Sequence, residues 1–237
     1  MSKSTIFPMV AGNPSALSII SVTGYQTGED TKEDGMKRCL MLDVDGVVVN
    51  GRPGDRQSWA VEIERDLGID PLLLEHHFFR PHWPDVVAGR KQLVEVLNDC
   101  LPVLRSPVTA QDFINYWFTR DSDIDADVLA ACDTLRARGM TIYLATNQEH
   151  LRAQYLMKTL GLGDHVDGIV YSAALGVKKP DSAFFEKAAR LSGFAPADHV
   201  LVDDQMKNVE AARQVGWAAF AWTGEESLKA LMEKLEG

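Results

Sequence analysis

From Asp125 to the end of the chain, short apolar runs alternate with amphipathic stretches, and that rhythm narrows the fold more than any other feature. Val128–Arg138 has helical spacing and stops at Gly139, and Met140–Ala145 reads as a strand. Helix Gln148–Leu160 ends at Gly161 and is followed by strand Gly168–Ser172 and helix Ala183–Leu191. Strand His199–Val202, helix Val209–Val215, strand Trp217–Trp222 and a last helix Glu225–Leu235 complete the series. Strands that alternate with helices need crossover connections, which build a parallel sheet covered on both sides. The expected class is therefore α/β, a Rossmann-like parallel sheet with helices on both faces. Ligands in such sheets lie beyond the carboxyl ends of the strands, near the reversal in strand order.

An earlier segment supplies the first strand. Residues Leu40–Val49 are almost all aliphatic apart from Asp43, Asp45 and Gly46, the pattern of a strand buried on both faces. In extended backbone, residues i and i+2 point the same way, so both carboxylates would enter one small volume. Like charges that close call for a cation, and an all-oxygen site suits a hard divalent ion such as Mg2+. A calcium loop would need an acid or Asn at Val47 and its glycine where Val48 stands. A plain Asp-Gly turn after a strand is the competing reading of this segment alone.

Three later strand ends bear on that choice. Thr146 and Asn147 follow Thr141-Ile142-Tyr143-Leu144-Ala145 and precede a helix, placing a hydroxyl and N–H groups where an anion is favoured. Lys179, before Pro180 and Asp181, is a point charge able to hold phosphate. Asp203 and Asp204 close the apolar strand ending Val200-Leu201-Val202. Singly these read as a helix cap, a surface lysine and a turn.

Together, and in this order, they resemble the haloacid dehalogenase superfamily. Its motifs are matched by Leu42-Asp43-Val44-Asp45-Gly46-Val47-Val48, by Leu144-Ala145-Thr146-Asn147, by Gly176-Val177-Lys178-Lys179-Pro180-Asp181, and by Val202-Asp203-Asp204 with Asn208 following. The resemblance implies a phosphohydrolase in which Asp43 is the nucleophile and Asp45 the general acid and base. It implies Thr146, Asn147 and Lys179 as phosphate ligands, Lys179 also screening the charges. Magnesium would be held by Asp43, the carbonyl of Asp45 and Asp204, with Asp203 a second ligand or an outer-shell acid. Dehalogenases of the superfamily replace the second acid of the first motif, so Asp45 favours phosphate ester hydrolysis over 2-haloacid dehalogenation, since a leaving alkoxide needs a proton and a halide does not. A phosphomutase, and a non-catalytic phosphate-binding module, are the other readings.

Residues 53–123 carry helical spacing with no strand-like alternation, and Thr109 with Asp112 three residues later makes a capping box. The expected organisation is a flexible N-terminal extension over 1–35, an α/β core over 36–52 and 124–237, and a helical cap over 53–123, where the superfamily carries its C1-type cap. Within the cap, Trp83 is a candidate to stack on substrate and Arg90 to meet its charge. His76, His77 and His82 lack any His-Glu-x-x-His or cysteine-rich zinc spacing. The acidic run from Asp121 to Asp127 reads as the hinge back to the core plus the first charges of the next helix.

The formal net charge of -10 argues against nucleic acid or an anionic membrane surface as partner. No run approaches 18 apolar residues, so no membrane span is expected. Cys39, Cys100 and Cys132 are odd in number and widely spaced, which fits core thiols in a cytoplasmic protein. The expected partner is a small phosphate ester, and the expected assembly a monomer or homodimer.

Overall fold

Five strands make one fully parallel sheet: β1 (Cys39–Leu42), β2 (Thr141–Thr146), β3 (Gly168–Tyr171), β4 (His199–Asp203) and β5 (Ala218–Ala221), in spatial order β3-β2-β1-β4-β5. The computed structural model from which they are taken describes residues 38–235, so the extension expected over residues 1–35 lies outside the described residues. β1 lies at the centre of the sheet, β2 and β3 build outward on one side, and β4 then returns to the other side of β1. That reversal makes the carboxyl ends of β1 and β4 the switch point where a ligand crevice forms.

Why β1 is aliphatic throughout follows from what covers it. Leu40 and Leu42 face one layer, packed with Val128, Cys132 and Leu135 of helix Ala126–Ala137 and with Leu228 and Leu231 of helix Leu228–Glu233. Cys39 and Met41 face the other, against Phe184, Phe185 and Ala188 of helix Ser182–Ser192 and Val209 and Ala212 of helix Met206–Gln214. Each such aliphatic side chain stabilises the fold by roughly 1.5–3 kcal/mol on burial.

The strand stops sooner than its composition implies. Instead of continuing to Val49, the chain turns: the N–H groups of Val47, Val48 and Val49 all donate to the carbonyl of Val44, and Gly46 donates to Val49 at 2.8 Å. Val44, Val47, Val48 and Val49 are still buried in the core, because a tight turn hides consecutive valines as well as a strand does. Gly46 sits at φ +82°, a left-handed conformation that favours glycine.

Residues between the two core segments are helical. They form helices Ile63–Leu67, Leu93–Val103 and Ala110–Arg120, and a continuous run made of Pro71–Leu74, a π-helical section Glu75–Phe79 and Arg80–Val86. In that run the wide π turn bonds Arg80 N–H to Glu75, five residues back, and the helix absorbs Pro81 and Pro84. The insert has its own core of Ile63, Phe78, Leu97, Phe113 and Phe118, and the Thr109–Asp112 capping box forms in both directions.

The two connections between insert and sheet run side by side. Asn50 N–H donates to Asp123 at 2.8 Å, and Asp125 N–H to Val48 at 2.9 Å. In the acidic run, Asp123 pairs with Arg56 at 2.9 Å while Asp125 caps helix Ala126–Ala137. All three cysteines are buried and unpaired. Among the described residues, no helix is long and apolar enough to cross a membrane.

Candidate active site

At the switch point the strand ends gather charge. Asp43 follows β1 directly, and its N–H donates to Val202 of β4 at 2.9 Å, which fixes it beside Asp203. Between them lies the ammonium of Lys179, 3.0 Å from Asp43 Oδ1 and 2.6 Å from Asp203 Oδ2. Lys179 is 2% exposed and Asp203 fully buried. Burial alone would neutralise the lysine, but the two carboxylates outweigh it and hold the ammonium charged. Burial likewise pushes the Asp43 carboxyl up, and Lys179 opposes that shift.

Asp203 accepts four hydrogen bonds from three groups. Gln205 N–H and Asn208 Nδ2 reach its Oδ1, both at 2.9 Å, while Lys179 Nζ and Asn208 Nδ2 reach Oδ2. A carboxylate offers about four lone-pair sites, so this one is filled. Asp204 is more open to solvent, and its Oδ2 accepts from Gln205 Nε2 at 2.7 Å. One oxygen each from Asp43, Asp203 and Asp204 lies within 4.8 Å of the others. Distance admits all three as metal ligands, but the hydrogen bonds on Asp203 argue for Asp43 and Asp204 as the carboxylates with coordination to offer. Gly46 makes room beside them, since a Cβ there would lie 2.8 Å from Asp204 Oδ2.

Thr146 ends β2, and its Oγ1 is buried without a hydrogen-bond partner. An orphaned hydroxyl at a strand end fits a ligand oxygen, because a buried donor otherwise carries an uncompensated desolvation cost of about 1–3 kcal/mol. The helix expected to begin at Gln148 starts later, at His150, and Glu149 caps it by accepting from the N–H groups of Leu151 and Arg152. This helix end therefore meets a carboxylate of its own chain. The Asn147 side chain is engaged with the protein. Its Nδ2 donates to the Lys179 carbonyl at 3.0 Å and its Oδ1 accepts from the Lys179 N–H at 2.8 Å, which clamps the lysine loop to β2.

Asp45 is open to solvent but lies in a recess where protein displaces much of its water. That desolvation, then Asp121 and Asp43, push its carboxyl up to about 7, against Arg152 and Lys179. Gln148 Nε2 donates to its Oδ2 at 2.6 Å. Arg152 is 2% exposed, bonds the carbonyls of Phe118 and Asp121, and lies over the rings of Phe118 and Tyr155. Sequence reasoning missed Gln148 and Arg152, since nothing local marks a contact across 103 residues.

The two insert candidates are engaged elsewhere. Trp83 packs against Phe78, Phe79 and Trp117, with ring centroids 5.3–6.2 Å apart, as part of the insert's aromatic core. Arg90 donates to Asp85 Oδ1 at 2.8 Å and to the Pro84 carbonyl at 3.1 Å. A cleft of about 410 Å³ is lined in part by Gly46, Arg56, Asp125, Trp222 and Glu225.

The sequence profile of haloacid dehalogenase-like hydrolases matches residues 37–216, spanning every residue of the carboxylate cluster. The chain belongs to that family. A phosphoglycolate phosphatase from Chromobacterium violaceum is 34% identical over 191 residues, covering 78% of this chain and 84% of its own. A sesquiterpene phosphatase from Aspergillus oryzae is 32% identical over 46% of this chain. Human haloacid dehalogenase-like hydrolase domain-containing protein 3 is 31% identical over 63%. The chain spans just over half the length of these last two relatives, 55% and 58%. In three dimensions it resembles a haloacid dehalogenase family enzyme from Bacteroides thetaiotaomicron solved with magnesium and inorganic phosphate, with TM-score 0.70, 18% identity and coverage of 82% of this chain and 98% of that one. L-2-haloacid dehalogenase from Xanthobacter autotrophicus shares the fold at TM-score 0.57 and 20% identity, covering 85% of this chain and 83% of its own.

Proposed function

We propose that this chain is a magnesium-dependent phosphoric monoester hydrolase that acts on a small phosphorylated metabolite through an aspartyl-phosphate on Asp43. The observation that carries the reading is the array at the switch point, a buried lysine between Asp43 and Asp203 with Asp204 alongside. Phosphoryl transfer needs positioning and charge neutralisation more than elaborate covalent chemistry, and this array supplies both. Hard oxygen donors fit magnesium, which takes one or two carboxylates and completes its shell with water and substrate phosphate. Asp43, Asp204 and the carbonyl of Asp45 would hold it, with Asp203 anchoring Lys179 instead of ligating. Bound there, the ion would screen the phosphate charge from the attacking carboxylate.

In the first half-reaction an Asp43 carboxylate oxygen attacks phosphorus, the bond from phosphorus to the ester oxygen breaks, and Asp45 gives its proton to the departing alkoxide. In the second, Asp45 takes a proton from water as the water oxygen bonds to phosphorus, releasing inorganic phosphate and restoring Asp43. Thr146 Oγ1 and Lys179 Nζ would hold the non-bridging oxygens, and Asn147 keeps the lysine loop in place. Asp45 argues against dehalogenation, where no leaving group needs a proton. A mutase would use the same residues and pass the phosphoryl group to a sugar hydroxyl instead of water.

Relatives named as phosphoglycolate phosphatases make a small carboxylated phosphate the first substrate to try. Residues 53–123 are read as a cap over the site. Incubating the enzyme with magnesium and matched two-carbon acids, one phosphorylated and one chlorinated, should release phosphate and no chloride. Chloride release without phosphate release would replace the reading with dehalogenation.

A further inference from the structure

Gln148 is 4% exposed, yet its amide reaches out to Asp45 Oδ2 at 2.6 Å. The chemistry above leaves this contact unused. The backbone of Gln148 is anchored as well: its carbonyl accepts from Ala173 N–H at 3.1 Å and from Ser172 Oγ at 3.2 Å. Ser172 Oγ also lies 2.5 Å from the carbonyl of Val87 in the helical insert. Two residues on, Gly89 approaches so closely that a Cβ there would stand 2.4 Å from the Ala173 carbonyl. Ser172 and Ala173 thus form the seat on which the insert's loop rests, and Gln148 is bonded to that seat by its backbone and to Asp45 by its side chain.

We propose that Gln148 is a positioning residue that aims the Asp45 carboxyl at the leaving oxygen. The proposal rests on the reading of Asp45 as general acid and base. Asp45 lies past the end of β1, in the turn that reverses at Gly46, so the sheet does not fix its side chain. A short bond from an anchored, buried amide selects one rotamer. The amide also suits both half-reactions. It donates to the carboxylate as seen, and turned over it accepts from the carboxylic acid, in each case without adding charge. An arginine or lysine in its place would hold Asp45 ionised.

A double-mutant cycle with Asp45→Asn tests this on the full chain with magnesium, using phenyl phosphate and para-nitrophenyl phosphate. Gln148→Leu keeps the volume and removes the hydrogen bond. It should lower kcat about tenfold on phenyl phosphate, whose leaving group needs the proton, and clearly less on para-nitrophenyl phosphate, with KM little changed. In the Asp45→Asn background the same substitution should change turnover less than about twofold, since a positioning residue has nothing left to position. Inhibition by inorganic phosphate should be the same in both proteins, which shows that the site remains folded. Equal losses on the two substrates, or fully additive effects, would overturn the proposal while leaving an active phosphatase. A wild-type enzyme that releases no phosphate overturns the functional reading and this proposal with it.

Discussion

At the residue scale, the site separates groups with coordination to offer from groups that hold others in place. Thr146 is the sharpest case, because its buried hydroxyl has no partner. Thr146→Val should leave Tm unchanged or slightly higher while kcat/KM falls roughly 10–100-fold; unchanged kcat/KM would return Thr146 to simple packing. Glu149 makes a prediction of a different kind. Burial raises its carboxyl from an ordinary 4.5 to about 7, so the folded state binds this proton more tightly than the unfolded chain does. The stability this contributes is intact below about pH 4.5 and falls as pH rises towards about 7, by on the order of 3 kcal/mol. Glu149→Gln keeps an acceptor for the Leu151 and Arg152 N–H groups and removes the ionisation. Urea midpoints at pH 5 and pH 8 should show the variant gaining on the wild type at the higher pH. A gap that does not change with pH would mean that Glu149 is not desolvated in the folded protein.

At the element scale, the turn after β1 shapes the site and was also the least legible part of the sequence. The valines from 44 to 49 read as strand because burial is recorded in composition, whereas the choice between extended chain and turn rests on backbone bonds to Val44 that composition does not record. Gly46 was visible as a turn residue, but its closeness to Asp204 was not. Gly46→Ala, strained at φ +82° and crowding Asp204, should raise the magnesium concentration for half-maximal activity about tenfold with the fold retained. An unchanged magnesium titration would remove Asp204 from the metal reading. The alternation after Asp125 was easily read because each strand and helix must bury its own period. The capping box at Thr109 was equally plain, being local, and Thr109→Ala should cost about 1 kcal/mol of unfolding free energy in a denaturant titration. What the sequence did not show were contacts with distant partners. Asn147 turned to the Lys179 loop, Trp83 to the insert's aromatic core, and Gln148 to Asp45.

At the scale of the whole molecule, the sheet order brings three strand ends and the loop that carries Lys179, all far apart in sequence, together. That is why Asp43, Thr146, Lys179 and the Asp203–Asp204 pair could be joined by motif order before any distance was known. The insert, with its separate core, rests on the sheet through Ser172 and the paired connections near Asn50 and Asp123. A net charge of -10 would repel an anionic substrate, so on the proposed reading productive binding would depend on the buried Lys179 and on the metal. The most direct test is phosphate release from a generic aryl phosphate by wild type and by Asp43→Asn, each with magnesium and with excess chelator. Turnover should occur only for wild type with magnesium; an Asp43→Asn enzyme of full activity, or a wild type indifferent to chelation, would contradict the account.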